Sequence, residues 1–236
     1  MYKVLITDPL SEQGIHKLLE AEDIEVERRP GLAHDELLSA IESADALLVR
    51  SQTKVTAEVI EKASRLKVIA RAGVGVDNID VPAATKKGII VVNAPDGNTI
   101  STAEHTFAML IALARNIPQA YRSVMNGEWK RKNFVGVELN QKTLSIIGLG
   151  RIGSELAKRA RAFRMNVVAF DPYLSEERAD KIGVKKATFE EAIAAGDFIT
   201  VHTPLTKETR HLINKDTFSL MKNGVRILNC ARGGII

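Results

Sequence analysis

The run Gly148-Leu149-Gly150-Arg151-Ile152-Gly153 decides the reading of this chain. A largely apolar stretch, Leu144 to Ile147, leads into it and has the length and composition of a buried strand. Beyond it, Ile152, Leu156, Ala160 and Phe163 recur at helical spacing, with Arg151, Glu155, Lys158 and Arg159 on other faces. The glycines therefore fall on a strand-to-helix turn. In that context Gly148 permits the tight turn, Gly150 lets a pyrophosphate approach the backbone, and Gly153 lets helix and strand pack closely. The free N–H groups and the positive dipole end of the helix then face phosphates. A second apolar run, Val167 to Phe170, ends on Asp171. An acid at that distance accepts hydrogen bonds from ribose hydroxyls and repels a 2′-phosphate, which favours NAD over NADP. Three glycines alone would serve any strand–helix turn. With strand, helix, second strand and terminal acid in register, they point to nucleotide binding.

The bulk composition is consistent with this. A chain of 236 residues holds one large domain or two smaller ones, each with its own core. With 45% hydrophobic and 26% charged residues it reads as globular. The net charge of +4 is scattered and aromatics are only 5%, which suits small anionic ligands and argues against nucleic acid. The longest apolar segment, Phe107 to Ala114, is too short to cross a bilayer. The amino terminus begins with strand-like Lys3 to Thr7 rather than a signal peptide, and Cys230 stands alone. A reducing, cytoplasmic setting is expected, with no membrane partner and no metal site.

Along the chain, strand-like and helix-like segments alternate. Val4–Ile6, Glu25–Glu27, Ala46–Val49, Val68–Ala70 and Ile89–Val92 read as strands, the last three buried on both faces. Helices are expected from Ser11 to Leu19, His34 to Ile41, Ala57 to Ala63 and Pro82 to Lys87. This alternation predicts an α/β protein, with a parallel sheet covered by helices in a first domain, 1–98. A long helix over Ala103–Ala114, ended by Asn116-Ile117-Pro118, opens a second domain, 99–236. Tyr121 to Glu138 reads as a polar arm that either covers its own domain or packs on a neighbouring subunit. Further strands are expected at Asp197–Val201 and Val225–Asn229, with a helix around Lys215–Met221 between them. His202-Thr203-Pro204 and Cys230-Ala231-Arg232-Gly233-Gly234 then fall at strand carboxyl ends, where ligands of open α/β sheets collect.

Four stretches together resemble one family. They are Arg71-Ala72-Gly73-Val74-Gly75-Val76-Asp77-Asn78, the glycine run, His202-Thr203-Pro204-Leu205 and Asn229-Cys230-Ala231-Arg232-Gly233-Gly234. The chain closely resembles the D-isomer-specific 2-hydroxyacid dehydrogenases over its whole length, and among them those acting on 3-phosphoglycerate. The resemblance implies a flavodoxin-like substrate domain followed by a Rossmann NAD-binding domain. It also implies NAD-dependent oxidation of 3-phosphoglycerate to 3-phosphohydroxypyruvate, the first step of serine biosynthesis. Arg232 matches the catalytic arginine, whose guanidinium stays charged and presents a planar fork to a carboxylate. Val74 and Gly75 match a main-chain carboxylate clamp, with Val74 also toward the cofactor. Arg151 and Ile152 match pyrophosphate contacts beside Gly148, Gly150 and Gly153. Asp171 matches the ribose contact, and Thr203, Cys230 and Ala231 match further cofactor contacts. Arg50, Arg71 and Arg131 fall where phosphate-directed arginines are expected.

The family also uses a general-base histidine held by a glutamate, both beyond the arginine turn. None of His16, His34, His105, His202 and His211 matches it, so the expectation for these residues is NAD binding with impaired turnover, both domains lacking their carboxyl-terminal parts. The resemblance further suggests a homodimer or homotetramer formed through the NAD domain. Two alternatives stand beside this reading: a dehydrogenase of an unphosphorylated 2-hydroxy acid, and a non-catalytic NAD-binding or interaction module.

Overall fold

The computed structural model describes residues 1–236, which form two compact units, Met1–Asn98 and Thr99–Ile236. The first unit runs β1 (Tyr2–Ile6), α1 (Glu12–Leu19), β2 (Ile24–Arg28), α2 (His34–Ile41), β3 (Ala46–Val49), α3 (Ala57–Lys62), β4 (Val68–Arg71), α4 (Val81–Lys86) and β5 (Ile90–Asn93). Its five strands are all parallel, in the order β2-β1-β3-β4-β5. This is the flavodoxin-like order, whose strand sequence reverses between β1 and β3. Helix starts are set locally: Ser11, Thr56 and Asp80 each accept a hydrogen bond from an N–H three residues on. Alternation along the strands sends Leu5, Leu47, Val49 and Ile69 to a core with Leu37, Ile41, Val59 and Ile60. Val4, Ile6 and Leu48 go to the opposite face, under Ile15 of α1.

One expectation fails here. Ile89 is buried, but Ile90 is 63% and Val92 45% exposed, so the last strand is not buried on both faces. It is the edge strand, and the face that these two side chains occupy carries no helix over it.

The second unit opens with α5 (Thr99–Arg115) and continues through α6 (Ile117–Met125) and a 3₁₀ turn at Arg131–Phe134. Then follow β6 (Thr143–Ile147), α7 (Arg151–Ala162), β7 (Asn166–Phe170), α8 (Glu176–Ile182), β8 (Lys185–Lys186), α9 (Phe189–Ala195), β9 (Phe198–Val201), α10 (Lys215–Phe218) and β10 (Arg226–Asn229). The parallel sheet has the order β10-β9-β6-β7-β8. Read from β8, this is the Rossmann order 3-2-1-4-5, reversing between β6 and β9. Helix α5 buries Phe107, Leu110 and Ala114 in one core with Leu156, Ala157 and Ala160 of α7. The other face packs Ile147, Ile199 and Val201 against Ala192 and Ile193 of α9.

Several local expectations change. Asn116-Ile117-Pro118 does not end helical structure. Asn116 turns the chain with φ of 53°, and Pro118 sits in the first turn of α6, where a missing N–H costs nothing. The segment read as a polar arm therefore begins inside a helix. Phe163 is the cap of α7 rather than a core residue, half exposed with its ring edge-on to Phe107 at 4.8 Å. The helix expected over Lys215–Met221 is four residues long.

Candidate functional site

In the second unit, the glycine run joins β6 to α7, and two of its glycines have separate steric reasons. Gly148 has φ of +96°, and a Cβ there would stand 2.9 Å from the His202 carbonyl. At Gly153 a Cβ would collide with the Gly148 carbonyl oxygen. Around Gly150 the space is open, and no side chain caps α7. The first N–H groups of that helix are therefore accessible to an anion.

Asp171, at the end of β7, fixes this turn from beside it. One carboxylate oxygen accepts the Leu149 N–H at 2.9 Å and the other the Tyr173 N–H at 2.8 Å. The Leu149 carbonyl in turn accepts from the Arg178 guanidinium at 2.9 Å. Arg178 belongs to α8, in a stretch for which the sequence reading assigned no element. Ser175, whose hydroxyl caps α8, and the Thr188–Glu191 capping box of α9 were the signals present for finding it.

Across the β6–β9 reversal point, His202 and Thr203 pack on Gly148. His202 Nε2 lies 3.0 Å from the Thr200 hydroxyl, while Nδ1 is buried without a hydrogen-bond partner. Burial pushes its pKa down to about 4, so the ring is neutral at physiological pH. The Thr203 hydroxyl is also buried and unpartnered, an arrangement that suits a ligand's hydrogen bond rather than a closed core. At the end of β10, Asn229 closes the next turn, accepting the Ala231 N–H at 3.0 Å and donating to the Arg232 carbonyl at 2.9 Å. This turn holds Arg232 and Cys230 half-buried, with Cys230 a free thiol. Gly148, Gly150, Arg151, Ile152, Gly153, Asp171, Thr203, Cys230, Ala231 and Arg232 thus all follow the carboxyl ends of parallel strands. Arg131 does not: it is exposed on the 3₁₀ turn after α6.

In the first unit, Arg50 follows β3 and Arg71 ends β4. The Arg71 guanidinium lies over Gly73, where any Cβ would collide with it. The loop after β4 is held by Ala94 N–H to the Gly73 carbonyl, 2.9 Å, and by the Asn93 amide to the Val74 carbonyl, 2.6 Å. The N–H groups of Val74 and Gly75 donate to no acceptor in the protein. They retain the donors that a carboxylate clamp requires. Asp8, Thr53 and Asn78 are part of this strand end and were not identified from sequence, although Asn78 stands in the motif that carried the resemblance.

The arrangement of the second unit defines a dinucleotide-binding α/β protein of Rossmann type. Residues 107–236 match the family of the D-isomer specific 2-hydroxyacid dehydrogenase, NAD binding domain, and the chain belongs to that family. It is 59% identical over 237 residues to D-3-phosphoglycerate dehydrogenase of Bacillus subtilis, covering all of this chain and 44% of that protein. It is 56% identical to the enzyme of the same name from Archaeoglobus fulgidus, covering 99% of this chain and 44% of that one. The chain therefore spans less than half the length of these relatives. Among solved structures, D-lactate dehydrogenase from Aquifex aeolicus, in complex with NAD and lactic acid, superposes with a TM-score of 0.88 at 32% identity. That match covers 99% of this chain and 70% of the other. No helix is long and apolar enough to cross a membrane.

Proposed function

We propose that these residues carry the substrate-binding and NAD-binding parts of an enzyme that oxidises 3-phosphoglycerate to 3-phosphohydroxypyruvate in the cytoplasm, the entry step of serine synthesis. The observation that supports this most strongly is identity of 56–59% to phosphoglycerate dehydrogenases across the whole chain, first unit included. By division of labour, residues 1–98 take substrate and residues 99–236 take NAD.

The second unit's residues fit the cofactor. The N-terminus of α7 with Gly150, Arg151 and Ile152 receives the pyrophosphate, Asp171 the ribose hydroxyls, and Thr203, Cys230 and Ala231 the remainder. When bound, NAD supplies the nicotinamide carbon that accepts hydride from the substrate's hydroxyl-bearing carbon. Arg232 holds the substrate carboxylate and polarises the forming carbonyl, a task for a group that never loses its charge. On the first unit, the Val74 and Gly75 N–H groups bind carboxylate, while Arg50 and Arg71 bind phosphate; Arg131, on the second unit, is a phosphate-directed arginine by resemblance alone.

The hydroxyl proton must leave as the hydride does. His202 is a poor acceptor for it, since its pKa near 4 is set by burial and its Nε2 is engaged with Thr200. We assign no general base within residues 1–236.

A second copy of the chain is the proposed partner. The α6 region exposes Tyr121 and Met125 at 66% each and Trp129 at 82%, side chains of the kind that subunit contacts cover. Sedimentation should give a dimer or tetramer, and a monomer at micromolar concentration would remove this part of the proposal. The enzymatic reading is tested by calorimetric titration with 3-phosphoglycerate and D-glycerate. Tighter binding of the phosphorylated acid is expected; equal affinity would favour a dehydrogenase of an unphosphorylated acid.

A further inference from the structure

We infer that Asp8 is a positioning residue for the phosphate-directed Arg50, acting through the main chain of the loop that carries it. The inference rests on the substrate reading above for Arg50.

Asp8 follows β1, and residues 50–53 follow β3, the two strands between which the first sheet reverses its order. Ligands of doubly wound sheets gather at such a reversal, outside the carboxyl ends of the strands. Asp8 is only 1% exposed, yet no cation neutralises it directly. One oxygen accepts the Thr53 N–H at 3.1 Å and the Thr53 hydroxyl at 2.7 Å. The other accepts the Arg50 N–H. The same loop is held from its opposite side by Asn78, whose amide donates to the Arg50 carbonyl at 2.9 Å and the Thr53 carbonyl at 2.7 Å. Both main-chain polar groups of Arg50 are thus fixed by side chains from two other loops.

The Arg50 side chain is treated oppositely. It is exposed, and its guanidinium makes no hydrogen bond or ion pair within the protein. A buried carboxylate adjacent to an arginine would ordinarily be expected to pair with it. Here the carboxylate is covered by three donors of the loop, and the guanidinium remains available to an external anion. A bare carboxylate at this place would repel a phosphate. Here its oxygens are bonded by the loop's own N–H and O–H donors, whose dipoles offset part of that repulsion. The arrangement holds the arginine's backbone while leaving its charge unneutralised, which is what a pre-organised anion contact needs.

The sharpest test is a double-mutant cycle read by calorimetric binding of 3-phosphoglycerate, with NADH affinity as the control for an intact second unit. Arg50→Ala and Asp8→Asn should each weaken 3-phosphoglycerate binding by roughly tenfold. Asp8→Asn replaces an acceptor oxygen with an amide that opposes the loop's own donors. The double variant should be little weaker than Arg50→Ala alone, because Asp8 acts through Arg50. Amide hydrogen exchange should accelerate at Arg50 and Thr53 in Asp8→Asn. Additive losses, or unchanged affinity in Asp8→Asn, would overturn the inference while leaving the substrate reading in place. Failure of the unaltered chain to bind 3-phosphoglycerate would overturn both. Should Asp8→Asn not fold, as judged by amide-exchange protection lost throughout β1, β3 and β4 rather than at the loop alone, Asn78→Ala loosens the same loop at the Arg50 and Thr53 carbonyls. It must then show the same non-additivity with Arg50→Ala.

Discussion

The two ends of each sheet treat their aspartates differently. At the amino end of the first sheet, Asp45 accepts the Lys3 N–H at 2.9 Å and pairs with the Arg65 guanidinium at 3.1 Å. At the amino end of the second, Asp197 accepts the Thr143 N–H at 2.8 Å and pairs with Lys222 at 3.1 Å. In both, an acid preceding one strand ties down the start of its neighbour across the reversal point and is neutralised by a cation. At the carboxyl ends, Asp8 and Asp171 accept N–H groups of the loops beside them instead. The amino ends are thus closed and structural. The carboxyl ends use acids to shape loops, and leave Arg50 and the N-terminus of α7 open to ligands.

Breaking the carboxyl end of the second sheet should have the largest effect. Gly148→Val places a branched side chain at φ of +96° and against the His202 carbonyl. NADH binding, followed by fluorescence, should fall by about a hundredfold or more, the scale set by misplaced binding geometry. Near-normal affinity would disprove the close approach of the two loops.

Next comes Arg232→Ala, expected to weaken 3-phosphoglycerate roughly tenfold to a hundredfold, the worth of a charge-assisted contact, while NADH affinity stays within about twofold. Equal loss for both ligands would make Arg232 a structural residue of its turn. A smaller effect is expected at Asp171. The unaltered chain should prefer NADH to NADPH by about tenfold or more, and Asp171→Ala should bring the two together by weakening NADH. An unchanged preference would remove the ribose role.

The amino ends should respond to pH and stability rather than to ligands. At Asp45 the Lys3 N–H is the main influence, with Arg65 adding to it, and the pKa is lowered below the usual carboxylate value. At Asp197 burial pushes the pKa up, but the Thr143 N–H and Lys222 outweigh it and the net shift is also downward. A lowered native pKa means stability that is present above the unfolded value of 3.8 and lost as pH falls through the native one. Asp197→Asn should therefore lose less stability than the unaltered chain on acidification from pH 7 to pH 3, measured by urea unfolding. Arg65→Ala should cost no more than about 1 kcal/mol and less at high salt, since its side chain is 57% exposed.

The parts legible in sequence were those whose chemistry is local. Gly148 answers the positive φ of its own turn, Gly153 the Gly148 carbonyl five residues before it, and the Ser11 cap lies next to the helix that it starts. Nine of the ten strands were legible, eight as apolar runs and β2 from the short Glu25–Glu27 alternation; β8, Lys185–Lys186, escaped because it is two exposed lysines with no apolar pattern. Pro118 was read as a breaker because the same residue both ends and begins helices, and only the left-handed turn at Asn116 separates the cases. Asp8 was not legible because its partners, Arg50 and Thr53, lie 42 and 45 residues away and are brought to it only by strand order. Ile90 and Val92 look like core residues until β5 proves to be an edge.

The most direct test of the account is calorimetric titration of the NADH-saturated chain with 3-phosphoglycerate, repeated with D-glycerate and with Arg232→Ala. The account predicts saturable binding of one equivalent, weaker by about tenfold or more without the phosphate and again without the arginine. A chain that binds NADH but takes up neither acid, or takes both equally, would contradict it.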